Sequence, residues 1–175
     1  MKGQQMSKPG DMGETGDLGE TRVPEAGEMA PEFDLPDAEG HRVSLVGLRG
    51  KRVVLYFYPK DDTPGCTAEA CGFRDAWAEL EGEGVVVLGV SRDGARSHRK
   101  FADKHGLPFT LLSDEDGAVA RRYGVWVRKS MYGKQYMSMA RTTFFIRADG
   151  KIGHVWQQVK AEGHAARVLE YARKH

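Results

Sequence analysis

The chain has 175 residues, 40% apolar and 29% charged, with a formal net charge of +1. That length and balance suit one globular domain with a core of useful size. They give no electrostatic case for nucleic acid or an anionic membrane as partner, and no run of 18 apolar residues offers a membrane-spanning helix.

In chain order, residues 1–24 stand apart. Gly10-Asp11-Met12-Gly13-Glu14-Thr15 is nearly repeated as Gly16-Asp17-Leu18-Gly19-Glu20-Thr21. The stretch is polar and glycine-rich and reads as a disordered extension that the chemistry does not need. Residues 25–175 form the predicted domain. Phe33-Asp34-Leu35 and Arg42-Val43-Ser44-Leu45 flank the turn-rich Asp37-Ala38-Glu39-Gly40 and predict a short hairpin. Val53 to Tyr58 is an apolar, β-branched and aromatic run, hence a buried strand. A helix is predicted from about 64 to 81, with Ala70, Phe73, Trp77 and Leu80 at helical spacing.

Val85 to Val90 predicts a strand buried on both faces. Residues 95–105 predict a basic helix with Phe101 and Ala102 inward, and with Arg96, His98, Arg99, Lys100 and Lys104 on a solvated face. Phe109 to Leu112 is a short strand. Ser113-Asp114-Glu115-Asp116 caps the 117–123 segment rather than holding a metal, because the acid spacing does not match a calcium loop. Thr142–Arg147 and Lys151–Gln157 flank Asp149-Gly150, a hairpin signal. Residues 162–173 close the chain as an amphipathic helix. Strands alternating with helices predict an α/β fold with a central mixed sheet and helices on both faces. The six histidines show no metal pair on one helix turn, and all six are read as surface or loop residues.

The chemistry concentrates in Thr63-Pro64-Gly65-Cys66-Thr67-Ala68-Glu69-Ala70-Cys71, which holds the only two cysteines. Thr63 and Pro64 suit an N-cap and a first helical position. Cys66 then falls in the first turn, near unpaired backbone N–H groups and the positive end of the helix dipole, a setting that favours thiolate. On an intact helix, residues five apart have α-carbons about 8–9 Å apart, whereas a disulfide needs them within about 7 Å. Bridging Cys66 and Cys71 therefore requires the first turns to unwind, which suits a switching pair better than a permanent staple. Two cysteines so placed, without a disulfide framework or a signal-peptide core, fit a reducing cytoplasm.

The segment Phe57-Tyr58-Pro59-Lys60-Asp61-Asp62-Thr63-Pro64-Gly65-Cys66-Thr67 resembles the active-site segment of peroxiredoxins. The step to Cys71 is similar to the Q-type, or bacterioferritin comigratory protein, subfamily. Ala30–Asp37, Leu111–Asp114, Tyr123–Trp126 and Arg141–Ile146 resemble further family segments, so the resemblance spans residues 25–175 and departs only in the extension. It implies a thioredoxin-like fold and a thiol peroxidase that acts on hydrogen peroxide and organic hydroperoxides and needs no cofactor or metal. It implies that Cys66 is peroxidatic and Cys71 resolving. It further implies that Thr63 contacts the peroxide, Pro64 shields the thiolate, and Arg141 stabilises the thiolate and orients substrate. On physical grounds the backbone N–H groups of Gly65 and Cys66 would serve beside Arg141 as donors to the substrate. Thioredoxin or another dithiol would restore the pair, and the protein would act as a monomer. Two other functions remain open from the residues: a thiol–disulfide oxidoreductase, which usually needs the closer C-x-x-C spacing, and a redox-sensing binding protein whose partner surface changes when the helix unwinds.

Overall fold

The computed structural model describes residues 22–175. The repeated segment and most of the predicted extension lie outside them. Within them, Val23 packs on the core and Pro24 is buried. Gly124 (φ +70°) makes this possible: a Cβ there would lie 2.4 Å from the carbonyl of Arg22.

A short antiparallel pair comes first, β1 (Asp34–Pro36) and β2 (Arg42–Ser44). The frame is then β3 (Arg52–Phe57), α1 (Pro64–Gly82), β4 (Val85–Ser91), α2 (Ala95–His105), β5 (Thr110–Ser113) and α3 (Ala118–Arg122). A hairpin of β6 (Trp126–Met131) and β7 (Lys134–Met139) follows, then β8 (Thr142–Ile146), β9 (Ile152–Trp156) and α4 (His164–Lys174). The main sheet has the order β9-β8-β3-β4-β5. β3, β4 and β5 run parallel, and β8 and β9 are antiparallel. This is the mixed sheet expected from the alternation of elements.

The strand period of two sorts β3 between two cores. Val53, Leu55 and Phe57 face one, with Phe144, Tyr123 and Met139. Val54, Tyr56 and Tyr58 face the other, with Phe73 and Leu80 of α1, Phe101 of α2 and Val168 of α4. Because β3 is buried on both faces, its sequence is a continuous apolar run, and its end is held in one place by both layers. The loop that leaves it leads straight to Thr63 and α1.

Several details differ from the sequence expectations. The β6–β7 hairpin was not expected; its strands are mostly exposed and carry Arg128, Lys129 and Lys134, so no apolar alternation marks them. The available signal is the turn, where Tyr132 and Gly133 both take positive φ, as a two-residue hairpin turn demands. His98 and His164 are not surface residues: they are 0% and 2% exposed. His164 meets Thr143 Oγ1 at 2.8 Å, and burial, assisted by Arg167 and Arg141, lowers its pKa to about 4. The acids before α3 do cap it: Asp114 accepts from the N–H groups of Val119 and Ala120, and Asp116 from that of Ala118.

Candidate active site

Helix α1 begins at Pro64, with Thr63 in the extended N-cap position (φ −97°, ψ 157°). The Thr63 side chain makes no capping bond; its hydroxyl donates instead to the carbonyl of Lys60 at 2.9 Å, which tightens the loop. The first helical bond runs from Thr67 N–H to Thr63 C=O at 2.8 Å. The N–H groups of Gly65 and Cys66 therefore lie ahead of the helical ladder and are free to serve an incoming acceptor.

Cys66 is 1% exposed and packs with Tyr56, Ala70 and Phe73. Cys71, five residues on in the same unbroken helix, is half-buried, and both thiols are free. Arg141 immediately precedes β8, the strand paired with β3, so the sheet brings it beside the start of α1. Its Nη2 donates to Cys66 Sγ at 3.4 Å and its Nη1 to Glu69 Oε1 at 2.7 Å. The Arg141 carbonyl accepts from Val159 N–H at 3.0 Å, which ties its backbone down. Gly65 leaves room for the guanidinium, since a Cβ there would lie 3.0 Å from Nη2.

Glu69 is the residue that sequence reasoning missed. It lies one helical turn beyond Cys66, its side chain is fully buried, and Oε2 has no partner. Burial pushes its carboxyl up to about 7 despite the opposing pull of Arg141. Arg141 feels the converse: burial works against its charge, but the bond to Glu69 and the nearby sulfur outweigh it, and its pKa rises. The Tyr56 hydroxyl, also unpartnered, is pushed well up by burial and then by the charges of Glu69 and Cys66. The signal for Glu69 was its i, i+3 spacing from Cys66, which places both on one face. One thiol, one buried carboxyl and one guanidinium thus share a small apolar enclosure where charge interactions are strong.

The AhpC/TSA family profile matches residues 26–155. The Peroxiredoxin Bcp of Escherichia coli K12 is 49% identical over 150 residues, covering 86% of this chain and 96% of the relative. The chain belongs to the AhpC/TSA family. This peroxiredoxin is also 45% identical over 149 residues to Peroxiredoxin Bcp of Bacillus subtilis, covering 83% and 93% of the two chains. Among solved structures it is similar to a cysteine-to-serine variant of Xanthomonas campestris Peroxiredoxin Q, with a TM-score of 0.82, 38% identity and coverage of 87% and 99%. Its fold is accordingly the thioredoxin-like fold of peroxiredoxins. Of the residues singled out in the sequence, Thr63, Pro64, Gly65 and Cys66 are consecutive at the head of α1, and Arg141 is brought to them from 75 positions away. Pro64 and Gly65 are exposed.

Proposed function

We propose that this peroxiredoxin reduces hydrogen peroxide and organic hydroperoxides at Cys66. The observation that carries this reading is the Arg141 Nη2 contact with a buried sulfur at the head of a helix. The Cys66 thiolate attacks one peroxide oxygen, the S–O bond forms as the O–O bond breaks, and the second oxygen leaves with a proton as water or alcohol. Charge grows on that leaving oxygen, where Arg141 and the N–H groups of Gly65 and Cys66 are already oriented to meet it. Thr63 contacts the peroxide through its hydroxyl, whose lone pairs remain available while its hydrogen is engaged by Lys60. Pro64 shields the thiolate. A relative of the same type, the bacterioferritin comigratory protein of Xanthomonas campestris (36% identical, TM-score 0.80), is described by its alkyl peroxide reduction activity.

The sulfenic acid on Cys66 then condenses with the Cys71 thiol, forming a disulfide and releasing water. Both cysteines lie in one continuous helix, so the first turns of α1 must open for this step. Thioredoxin or a similar dithiol restores both thiols and is itself oxidised to the disulfide. We place this cycle in a monomer, in the reducing cytoplasm, without nucleic acid or membrane. Among the described residues no helix is long and apolar enough to cross a membrane.

Intact and peptide mass spectrometry after one equivalent of hydrogen peroxide tests the cycle. A rapid loss of two hydrogens with a Cys66–Cys71 linkage, reversed by thioredoxin, is expected. Cys71→Ser should still oxidise once and then accumulate sulfenic or sulfinic Cys66. Sluggish oxidation of Cys66 would overturn the peroxidase reading, and normal recycling of Cys71→Ser would remove Cys71 from it.

Gly65→Ala separates chemistry from folding. The added methyl pushes on the guanidinium, so the rate of Cys66 oxidation should fall about tenfold, in line with the sensitivity of reacting groups to small misplacements. Stability should hold or rise by up to about 1 kcal/mol, because alanine is the better helix former. Stopped-flow oxidation and thermal unfolding of the same sample check both arms.

A further inference from the structure

The loop between β3 and α1 carries Thr63 and delivers Cys66, and a buried cluster holds its middle. The Asp61 carboxylate accepts from the Tyr58 hydroxyl at 2.6 Å through Oδ1 and from Ser97 Oγ at 2.8 Å through Oδ2. The Asp61 N–H donates to Asp93 at 2.8 Å, and Asp93 accepts a second bond from Ser91 Oγ at 2.7 Å. His98 of α2 completes the cluster. Its Nδ1 lies 2.7 Å from Asp61 Oδ2 and its Nε2 lies 2.9 Å from the carbonyl oxygen of Leu112 in β5. The His98 side chain is 0% exposed and that of Asp61 3%, so bulk water reaches neither nitrogen.

A backbone carbonyl only accepts, so Nε2 must carry hydrogen. A contact of 2.7 Å between Nδ1 and Oδ2 requires a second proton between them. With one proton fewer, a nitrogen lone pair would face an oxygen lone pair inside the protein, with no water to relieve it. The His98–Asp61 pair therefore holds two protons. Tyr58 and Ser97 both donate to Asp61, which favours its oxygens as acceptors and leaves the shared proton on Nδ1.

We propose that His98 is a positioning residue for the Cys66 reaction: a buried two-donor brace that ties Asp61 of the active-site loop to β5. The proposal rests on Cys66 being the reacting thiol. The loop has little slack to absorb a shift at Asp61. Thr63 bonds back to Lys60, and Thr67 bonds back to Thr63. Asp62 sits at φ +60°, an uncommon conformation for a residue with a side chain, and Lys104 and His105 hold its carboxylate at 2.9 and 3.3 Å. Helix α2, read from sequence as a solvated basic face, thus grips two consecutive loop aspartates through Ser97, His98, Lys104 and His105.

Two measurements test the brace. Nitrogen-15 NMR of the full chain at about pH 7.5 should show hydrogen on both ring nitrogens of His98, where an ordinary exposed histidine carries one. Asp61→Asn, nearly the same shape, should turn its amide to donate to Nδ1 and leave a single ring N–H. His98→Leu should slow Cys66 oxidation by hydrogen peroxide about tenfold or more while unfolding stays cooperative. A single ring N–H in the wild type overturns the proposal, as does a folded His98→Leu that oxidises at the wild-type rate. Should His98→Leu not fold, the wild-type ring nitrogens decide alone. A wild type whose Cys66 does not react with peroxide would instead sink the peroxidase reading, and the ring protons would still decide the brace.

Discussion

Replacing Cys66 by serine is expected to abolish peroxide turnover, with a loss of at least about 10⁴-fold, because it removes the atom that forms the bond to oxygen. A serine hydroxyl is far less ionised at neutral pH and a much weaker nucleophile towards peroxide oxygen. The arrangement around it gives no compensation, since the Arg141 guanidinium and the N–H groups of Gly65 and Cys66 can donate hydrogen bonds but supply no electrons. The fold should survive: serine is close in size, and Arg141 can donate to its hydroxyl oxygen. The cost of placing a hydroxyl at a 1% exposed site should be about 1–2 kcal/mol, the usual range for an imperfectly bonded buried polar group. Steady-state consumption of hydrogen peroxide with a thioredoxin system reads the first effect, and thermal unfolding the second. Sustained turnover by Cys66→Ser would place the chemistry elsewhere.

Arg141→Leu should lower the rate of Cys66 oxidation by about 10²–10³-fold, the typical cost of removing one oriented donor from a site of developing negative charge. It also leaves Glu69 buried with no cation at hand. In the wild type the folded carboxyl stands at about 7, against an ordinary value of 4.5, with burial as the main cause. A raised folded value means the folded state holds the proton more tightly. The associated stability is fully present below about 4.5 and is lost as pH rises through about 7, in total on the order of 3 kcal/mol. Without Arg141, which pulls the value down, the carboxyl moves higher still and the loss continues into the alkaline range. Urea unfolding at several pH values should therefore show Arg141→Leu falling behind the wild type most above pH 7. A parallel pair of pH–stability curves would refute this account of Glu69. The same linkage bears on the cycle. If the first turns of α1 open as proposed, Glu69 is exposed and releases its proton, so that opening should become easier as pH rises from about 4.5 to 7.

Much of this protein was determined by local order in the chain. The apolar, β-branched run Val53 to Tyr58 marked a buried strand, Thr63-Pro64 suited a helix start, and together they put Cys66 in a first turn. Asp149-Gly150 set the final hairpin, and the acids at 114–116 the cap of α3. These are contacts within a few residues, where composition and spacing carry the information. The spacing of Cys66 and Cys71 by itself implies that a bond between them needs the helix to open.

Tertiary structure decided what those local elements face. Arg141 reaches Cys66 because β8 pairs with β3, a juxtaposition that no spacing along 75 positions encodes. Glu69 looked like one more polar residue on a helix until the sheet and Arg141 closed over it, and only then did its burial and its raised pKa exist. His98 and His164 read as surface residues for the same reason: a histidine's identity is compatible with either environment, and the long-range contacts to Asp61, Leu112 and Thr143 select the buried one. Backbone preference acts over a few residues and is written in order; burial and charge pairing act through space, and arise only once distant strands have met.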